Sequence, residues 1–343
     1  MKALVLEKYN HLVYKDVPDP EINTNEVLVQ VKACGICGSD VHGLDGSTGR
    51  RIPPLIMGHE ASGVIMRTGS DVKNWKSGDR VTFDSTVYHL DDWFTLRGLY
   101  NLSDNREVLG VSPGTYKRNG AFAEYISIPQ HILYKIPDNV SFEQAAMVEA
   151  VAVALHSINI SGIQSGNSCI VVGAGMIGIF LIKLLKISGS SCIIAIDINK
   201  KRLKKAKNAG ADYTFLSDEE NLLEKIRDLT GNRGADISFE AVGKNESVRT
   251  AIENVRRGGK VVLLGNITPT VDFPLQKVVT GEMKVLGSCA ICGEYEAVLN
   301  YLKMGKVNVD DQISAIVPLS EGAHWFKKLS VNDGDIDKVI LVP

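Results

Sequence analysis

The stretch CIVVGAGMIGIFLIKLLKISG constrains this chain more than any other. An apolar run, a loop carrying Gly173, Gly175 and Gly178, and an amphipathic helical pattern follow one another without a break. The first glycine permits a tight turn, the second lets backbone approach a pyrophosphate, and the third lets the helix pack on the strand. The start of that helix offers N–H groups and positive potential to phosphates. A glycine pattern of this kind is weak by itself, but its surroundings fit. Between residues 168 and 288, six apolar runs (CIVVG, CIIAID, ADYTF, ADISFEAV, KVVLLG and MKVLGS) alternate with helical stretches. That alternation predicts an α/β fold with a doubly wound, parallel, six-stranded sheet.

An acidic residue belongs at the end of the second strand. CIIAIDINKKR places Asp197 there, 24 residues after Gly173, near the spacing of about 20 that puts a carboxylate on the adenosine ribose. A carboxylate at that point accepts from both ribose hydroxyls and repels a 2′-phosphate, which favours NAD over NADP. The plainer reading makes Asp197 the N-cap of a helix beginning near Asn199. Lys200, Lys201 and Arg202 pull the other way, since a basic cluster tolerates a 2′-phosphate. Arg202 can equally line the ribose, and the two lysines are most simply solvated. Ile177 in the glycine loop, with Leu264, Gly265 and Asn266 closing the fifth run, completes the expected cofactor contacts.

Residues 1 to 140 have a different texture. Short runs (KALVLE, EVLVQVKA, ASGVIMR, DRVTF, AEYISI) separated by Gly, Pro and Asp predict an irregular all-β domain. The last 55 residues return to a mixed pattern and are expected to complete that domain. The expected division is therefore 1–150 with 289–343, and 151–288 between them. A net charge of −2 gives no footprint for nucleic acid or an anionic membrane. No run approaches the roughly 18 apolar residues of a membrane span, and MKALVLEKYN lacks a signal-peptide pattern. Six cysteines in a chain too large to need staples are read as free thiols in a reducing cytoplasm.

Two stretches carry the chemistry. ACGICGSDVHG offers the thiolate of Cys37, and MGHEASG offers the imidazole of His59 beside the carboxylate of Glu60. The three together suit zinc and leave a fourth position open. Singly, Cys37 can be a small buried residue and His59–Glu60 a surface ion pair. Glycines flanking both stretches favour ligands, because they let backbone come close to something. Cys34/Cys37 and Cys289/Cys292 each form CxxC, but structural zinc sites gather within compact modules and these pairs lie about 250 residues apart. Cys34, Cys289 and Cys292 are therefore read as packing residues or pocket walls.

CGICGSDVH, GHE, GAGMIG and MVEAVAVALH together resemble the zinc-dependent medium-chain dehydrogenase/reductase superfamily, over essentially the whole chain. The sequence is similar to polyol dehydrogenases of the sorbitol, iditol and galactitol-phosphate types, and also to threonine dehydrogenase. The resemblance implies a GroES-like β-barrel catalytic domain built from both ends of the chain, with a Rossmann domain between. It implies catalytic zinc on Cys37, His59 and Glu60, with Glu149 binding the metal directly or through water; Ala150 stands where the family often has Pro. It implies a proton relay from Ser39 to His42, with Asp40 orienting a ligand. Many relatives hold a structural zinc through four cysteines in a lobe, whose places here are His89, Asp92, Thr95 and Ser103. One zinc per subunit is expected, the structural one being absent, with Trp93 and Phe94 anchoring the lobe by burial. The implied reaction is reversible, NAD-linked oxidation of a secondary alcohol of a free polyol or cyclitol. A polyol phosphate or threonine would need a cation, for which Arg50, Arg51 and Lys117 are candidates. A zinc-free quinone or enone reductase and a non-catalytic NAD-binding protein are the rivals. A homo-oligomer, dimer or tetramer, is expected.

Overall fold

In a computed structural model of the chain, residues 1–331 and 335–343 are described, and they form two compact units. One comprises Met1–Glu149 with Ile291–Pro343, the other Ala150–Ala290.

The second unit contains six parallel strands, with β-branched residues concentrated in Ser168–Val172 and Cys192–Asp197. In spatial order the six are Tyr213–Leu216, Cys192–Asp197, Ser168–Val172, Ala235–Glu240, Val255–Leu263 and Lys284–Gly287. The sequence order therefore runs 3-2-1-4-5-6, and the reversal beside the first strand creates a crevice at the carboxyl ends. The helix Met176–Ile187 follows the first strand and buries Ile179, Phe180, Leu181, Ile182, Leu184 and Leu185. Burial of each is worth about 1.5–3 kcal/mol, which holds its N-terminus fixed at that crevice.

The first unit is organised around the strand Glu26–Gly35. It pairs antiparallel with Glu60–Thr68, with Tyr125–Pro129 and with the C-terminal strand Lys338–Val342. The register sets Gly35 opposite both Glu60 and Ile340. Phe83, Phe122, Phe326, Leu4, Leu6 and Ile65 are fully buried in its core. The last strands of the chain thus belong to the sheet of the first.

The lobe over residues 89–103 folds as two single 3₁₀ turns, Thr95–Arg97 and Tyr100–Leu102, separated by Gly98 in the left-handed region. Its anchor is not the expected one. Trp93 is 57% exposed, and the Arg97 guanidinium lies over its ring at 3.8 Å. Phe94 is only partly buried and packs edge-on against Trp93. Tyr100 takes the inward place instead: it stacks on Tyr88 at 4.3 Å, donates to Asp84 Oδ2 at 3.0 Å and accepts from the Gly293 N–H at 2.7 Å. A phenol hydroxyl can donate to a buried carboxylate and accept a backbone N–H while its ring packs; an indole N–H only donates, and Phe94 has no polar side-chain atom. Asp92 accepts from the N–H groups of Phe94, Thr95 and Asp104, closing the lobe on itself.

Candidate active site

Strand pairing assembles the metal-ligating candidates. Where Glu26–Gly35 ends, the chain turns through Cys37 into the short helix Gly38–His42. Opposite, His59 precedes the strand Glu60–Thr68, whose first residue pairs with Gly35. A side chain at Gly35 would collide with the Glu60 carboxylate, and one at Gly58 with Phe122 and Cys34. Gly35 thus makes room for Glu60, and Gly58 for the packing of Phe122 and Cys34.

One donor atom each from Cys37, His59 and Glu60 lies within 4.8 Å of the other two, and among the described residues this is the sole such cluster. Thiolate, imidazole and carboxylate suit zinc. His59 Nδ1 is buried without a hydrogen-bond partner, 3.5 Å from Asp40 Oδ1. Metal-bound histidines characteristically turn the second ring nitrogen to a carboxylate. The residues fit the ion.

Two buried cations stand behind this cluster. Arg51 reaches Asp40 Oδ1 through Nε at 3.3 Å and Nη2 at 2.9 Å. Burial alone would raise the pKa of Asp40, but His59 and Arg51 outweigh it and hold the carboxyl well below the usual range. Lys338, from the C-terminal strand, forms an ion pair with Glu60 Oε2 and donates to the Ile36 carbonyl at 3.1 Å. Arg51 is thereby removed from the candidates for a substrate anion. Arg50 is exposed, and Lys117 lines a separate groove with Met1, Lys15 and Asp19.

Glu149 lies in the first turn of the helix Val148–Ser161. Its carboxylate is outside the three-donor cluster. Its pKa is pushed up to about 7, first by burial and then by Glu60, against the pull of His59. Ser39 and His42 sit at i and i+3 of the helix Gly38–His42, both exposed, and Ser39 Oγ donates to Cys37 Sγ at 3.3 Å.

The glycine loop of the second unit has three distinct environments. Gly173 adopts φ +95°, and a Cβ there would strike Val242. A Cβ on Gly178 would strike the Gly173 carbonyl, while Gly175, capping the helix, faces open space. Turn, open cradle and helix–strand contact are thus all present, and the cradle suits a pyrophosphate. Asp197 is buried and accepts from the Ala174 N–H at 2.7 Å and the Asn199 N–H at 2.9 Å. The N-cap of the next helix is Asn199, which accepts from Lys201 and Arg202. Asp197 instead ties the glycine loop to the second strand. Leu264 and Gly265 donate to the Glu240 carbonyl, Gly265 packs on Val242 and Gly243, and exposed Asn266 continues that edge. Ile177 and Arg202 are partly exposed.

Residues 23–138 match the model of the alcohol dehydrogenase GroES-like domain, and 177–303 that of the zinc-binding dehydrogenases. D-xylulose reductase A of Aspergillus niger is 34% identical over 97% of this chain and 94% of its own. The chain belongs to the zinc-binding dehydrogenase family. Among solved structures, galactitol-1-phosphate dehydrogenase from Escherichia coli superposes with TM-score 0.92 at 25% identity, covering all of both chains. A Sinorhizobium meliloti 1021 protein solved with NADP gives TM-score 0.90 at 28% identity, over 100% of this chain and 99% of the other. The second unit of this dehydrogenase is the Rossmann sheet, and the first contains its GroES-like domain.

The sequence did not single out Lys338, whose partner Glu60 is 278 positions away. A lysine in a strand otherwise reading VILV was the available sign.

Proposed function

We propose that this dehydrogenase oxidises a secondary alcohol of a free polyol or cyclitol to the ketone, reversibly, with NAD. The observation that carries the reading is the three-donor cluster of Cys37, His59 and Glu60 in a chain whose other unit has an open glycine cradle. Bound there, zinc supplies a Lewis acid that makes a hydroxyl acidic near neutrality, and nicotinamide supplies the hydride acceptor. The chain's own residues do the rest. Asp40, held anionic by Arg51, orients His59, and Lys338 holds Glu60 in place. Ser39, against the Cys37 sulfur, receives the hydroxyl proton, and exposed His42 releases it to solvent. Glu149, buried near His59 and Glu60, can hold a proton or a second substrate hydroxyl.

Asp197 supports NAD, because a buried carboxylate at the end of the second strand repels a 2′-phosphate. Commitment of Arg51 to Asp40 supports a free polyol over a phosphate ester or threonine. The donor cluster speaks against a zinc-free reductase. The strand Lys284–Gly287 ends the six-stranded sheet with one edge unpaired among the described residues, and Phe273, Leu275 and Val279 nearby are exposed, which supports docking of a second copy. No described helix is long and apolar enough to cross a membrane, and all six cysteines are free, in keeping with a reducing cytoplasm. The test is a turnover screen of zinc-loaded protein across free polyols, polyol phosphates and threonine with NAD and NADP. Highest kcat/KM with a free polyol and NAD is expected; a preference for a phosphate ester or for threonine overturns the substrate assignment.

A further inference from the structure

The second unit carries a cleft that the reaction leaves unused. It measures about 610 Å³ and opens at the amino ends of the strands Ala235–Glu240 and Val255–Leu263. These strands are parallel to Ser168–Val172, whose carboxyl end leads into the glycine loop. Cleft and cradle therefore lie at opposite edges of one sheet.

Its lining is unusually cationic. Arg227 comes from the helix Leu222–Leu229, Arg233 from the turn after it, Arg256 and Arg257 from the start of a strand, and Lys277 from the helix Leu275–Thr280. The one acid in the lining, Glu253, is paired with Arg249, which is outside it. Arg256 is braced by Asp236 at 2.7 Å and by the Arg257 carbonyl at 2.9 Å. Arg227, Arg233 and Arg257 have no ion-pair partner among the described residues. Lys277 donates to the Glu253 carbonyl at 2.8 Å; burial chiefly, and Arg227 beside it, lower its pKa. An arginine in the last turn of a helix is ordinary, because it complements the dipole. That does not explain why four other cations from three further segments converge on the same cleft in a chain of net charge −2. Clustered like charges cost stability, and departures from local consistency of this kind concentrate at functional sites.

We propose that this cleft binds a small, multiply charged anion of the phosphate-ester or polyphosphate class. The volume falls in the usual range for small-molecule sites. Guanidinium groups match phosphate oxygens in planar, bidentate fashion, and a preset Arg256 lowers the ordering cost. Anchorage at the amino edge leaves the cofactor edge free, so both ligands can be held together.

The test is calorimetric titration of the zinc-loaded full chain with inorganic pyrophosphate at constant ionic strength, with and without saturating NADH. Saturable binding near one per chain is expected with NADH bound, and without it up to one more per chain at the glycine cradle. The double variant Arg227→Gln/Arg257→Gln should bind about tenfold more weakly or worse, and Arg233→Gln should weaken binding by itself. NADH affinity should stay as in the parent and the melting temperature should not fall, since these side chains are exposed and their mutual repulsion is relieved. Binding that NADH abolishes and the arginine variants leave intact would place the anion on the glycine loop and overturn the proposal. Heat that never saturates would also overturn it, reducing the cleft to a diffuse positive surface.

Discussion

Replacing Asp84 by Asn should stabilise the first unit at alkaline pH, although it removes a charge from a hydrogen-bonded network. The Asp84 side chain accepts from the Thr86 N–H at 2.8 Å and from the Tyr100 hydroxyl at 3.0 Å. Burial outweighs these two bonds, and with Glu294 nearby the pKa is pushed up from the ordinary 3.8 to about 6. In the window between those values the folded chain binds a proton that the unfolded chain has released. Stability therefore rises as pH falls through about 6 and levels off below the unfolded value. The whole difference is worth about 3 kcal/mol, which the ionised carboxylate takes from the fold at pH 8. Asparagine keeps the acceptor for Thr86 and offers its amide to the Tyr100 oxygen, without a charge to bury. Asp84→Asn should accordingly exceed the parent by about 1–3 kcal/mol at pH 8 and lose that advantage near pH 4. Trp75, Trp93 and Trp325 all lie in the first unit, so urea unfolding followed by tryptophan fluorescence reports the unit that contains Asp84. A parent–variant difference that stays constant from pH 4.5 to 8 would refute the argument.

Metal analysis of chelator-washed, zinc-reloaded protein should give one zinc per chain, because the Asp92 carboxylate already serves three backbone N–H groups; a ratio near two would make His89 and Asp92 ligands. Lys338→Met should lower stability by about 3–5 kcal/mol without metal, since it strands buried Glu60, and zinc should restore most of that loss in denaturation curves; an equal loss with and without zinc contradicts the pairing argument. Asp197→Ser should narrow the preference for NAD in steady-state kinetics while weakening the glycine loop, whose Ala174 N–H loses its acceptor; unchanged cofactor selectivity assigns the choice to Lys200–Arg202. Ser39→Ala should slow turnover by about 10²–10⁴-fold with zinc content intact, and His42→Ala less, with rescue by imidazole buffers; full turnover of Ser39→Ala with a deuterium isotope effect on the chemical step removes Ser39 from the relay.

Much of this was legible in the chain because it is written in local pattern. The six runs from CIVVG to MKVLGS each became a strand of the parallel sheet, β-branched residues and short length marking them without help from tertiary context. The cluster of Cys37, His59 and Glu60 was legible because donor chemistry is carried by residue type. What the sequence hid depends on distant partners. Arg51 reads in the sequence as a candidate for a substrate anion, and only the fold brings it to Asp40; nothing local pairs Lys338 with Glu60. Among the aromatics of the lobe, hydrophobicity points to Trp93 and Phe94, whereas the deciding factor is the pairing of the buried Asp84 carboxylate and the Gly293 N–H, which one phenol hydroxyl satisfies together. At the second strand, two adjacent cap formers stood two residues apart; Asn199 took the helix, which left Asp197 for the loop.

The C-terminal strand also has a temporal meaning. A ribosome makes Cys37, His59 and Glu60 before the entire Rossmann unit and Lys338 after it. The nucleotide unit, whose segments are contiguous, can close while synthesis continues. Strand Glu26–Gly35 must wait for Lys338–Val342 to emerge before its neighbour on that side exists, and until then Glu60 has no ammonium partner. A nascent chain halted after residue 290 should therefore present a folded dinucleotide fold tethered to an incomplete β unit. Metal captured at that stage would meet a Glu60 that lacks its counter-charge, so the order of translation lets the zinc centre mature only after the Rossmann unit has been made.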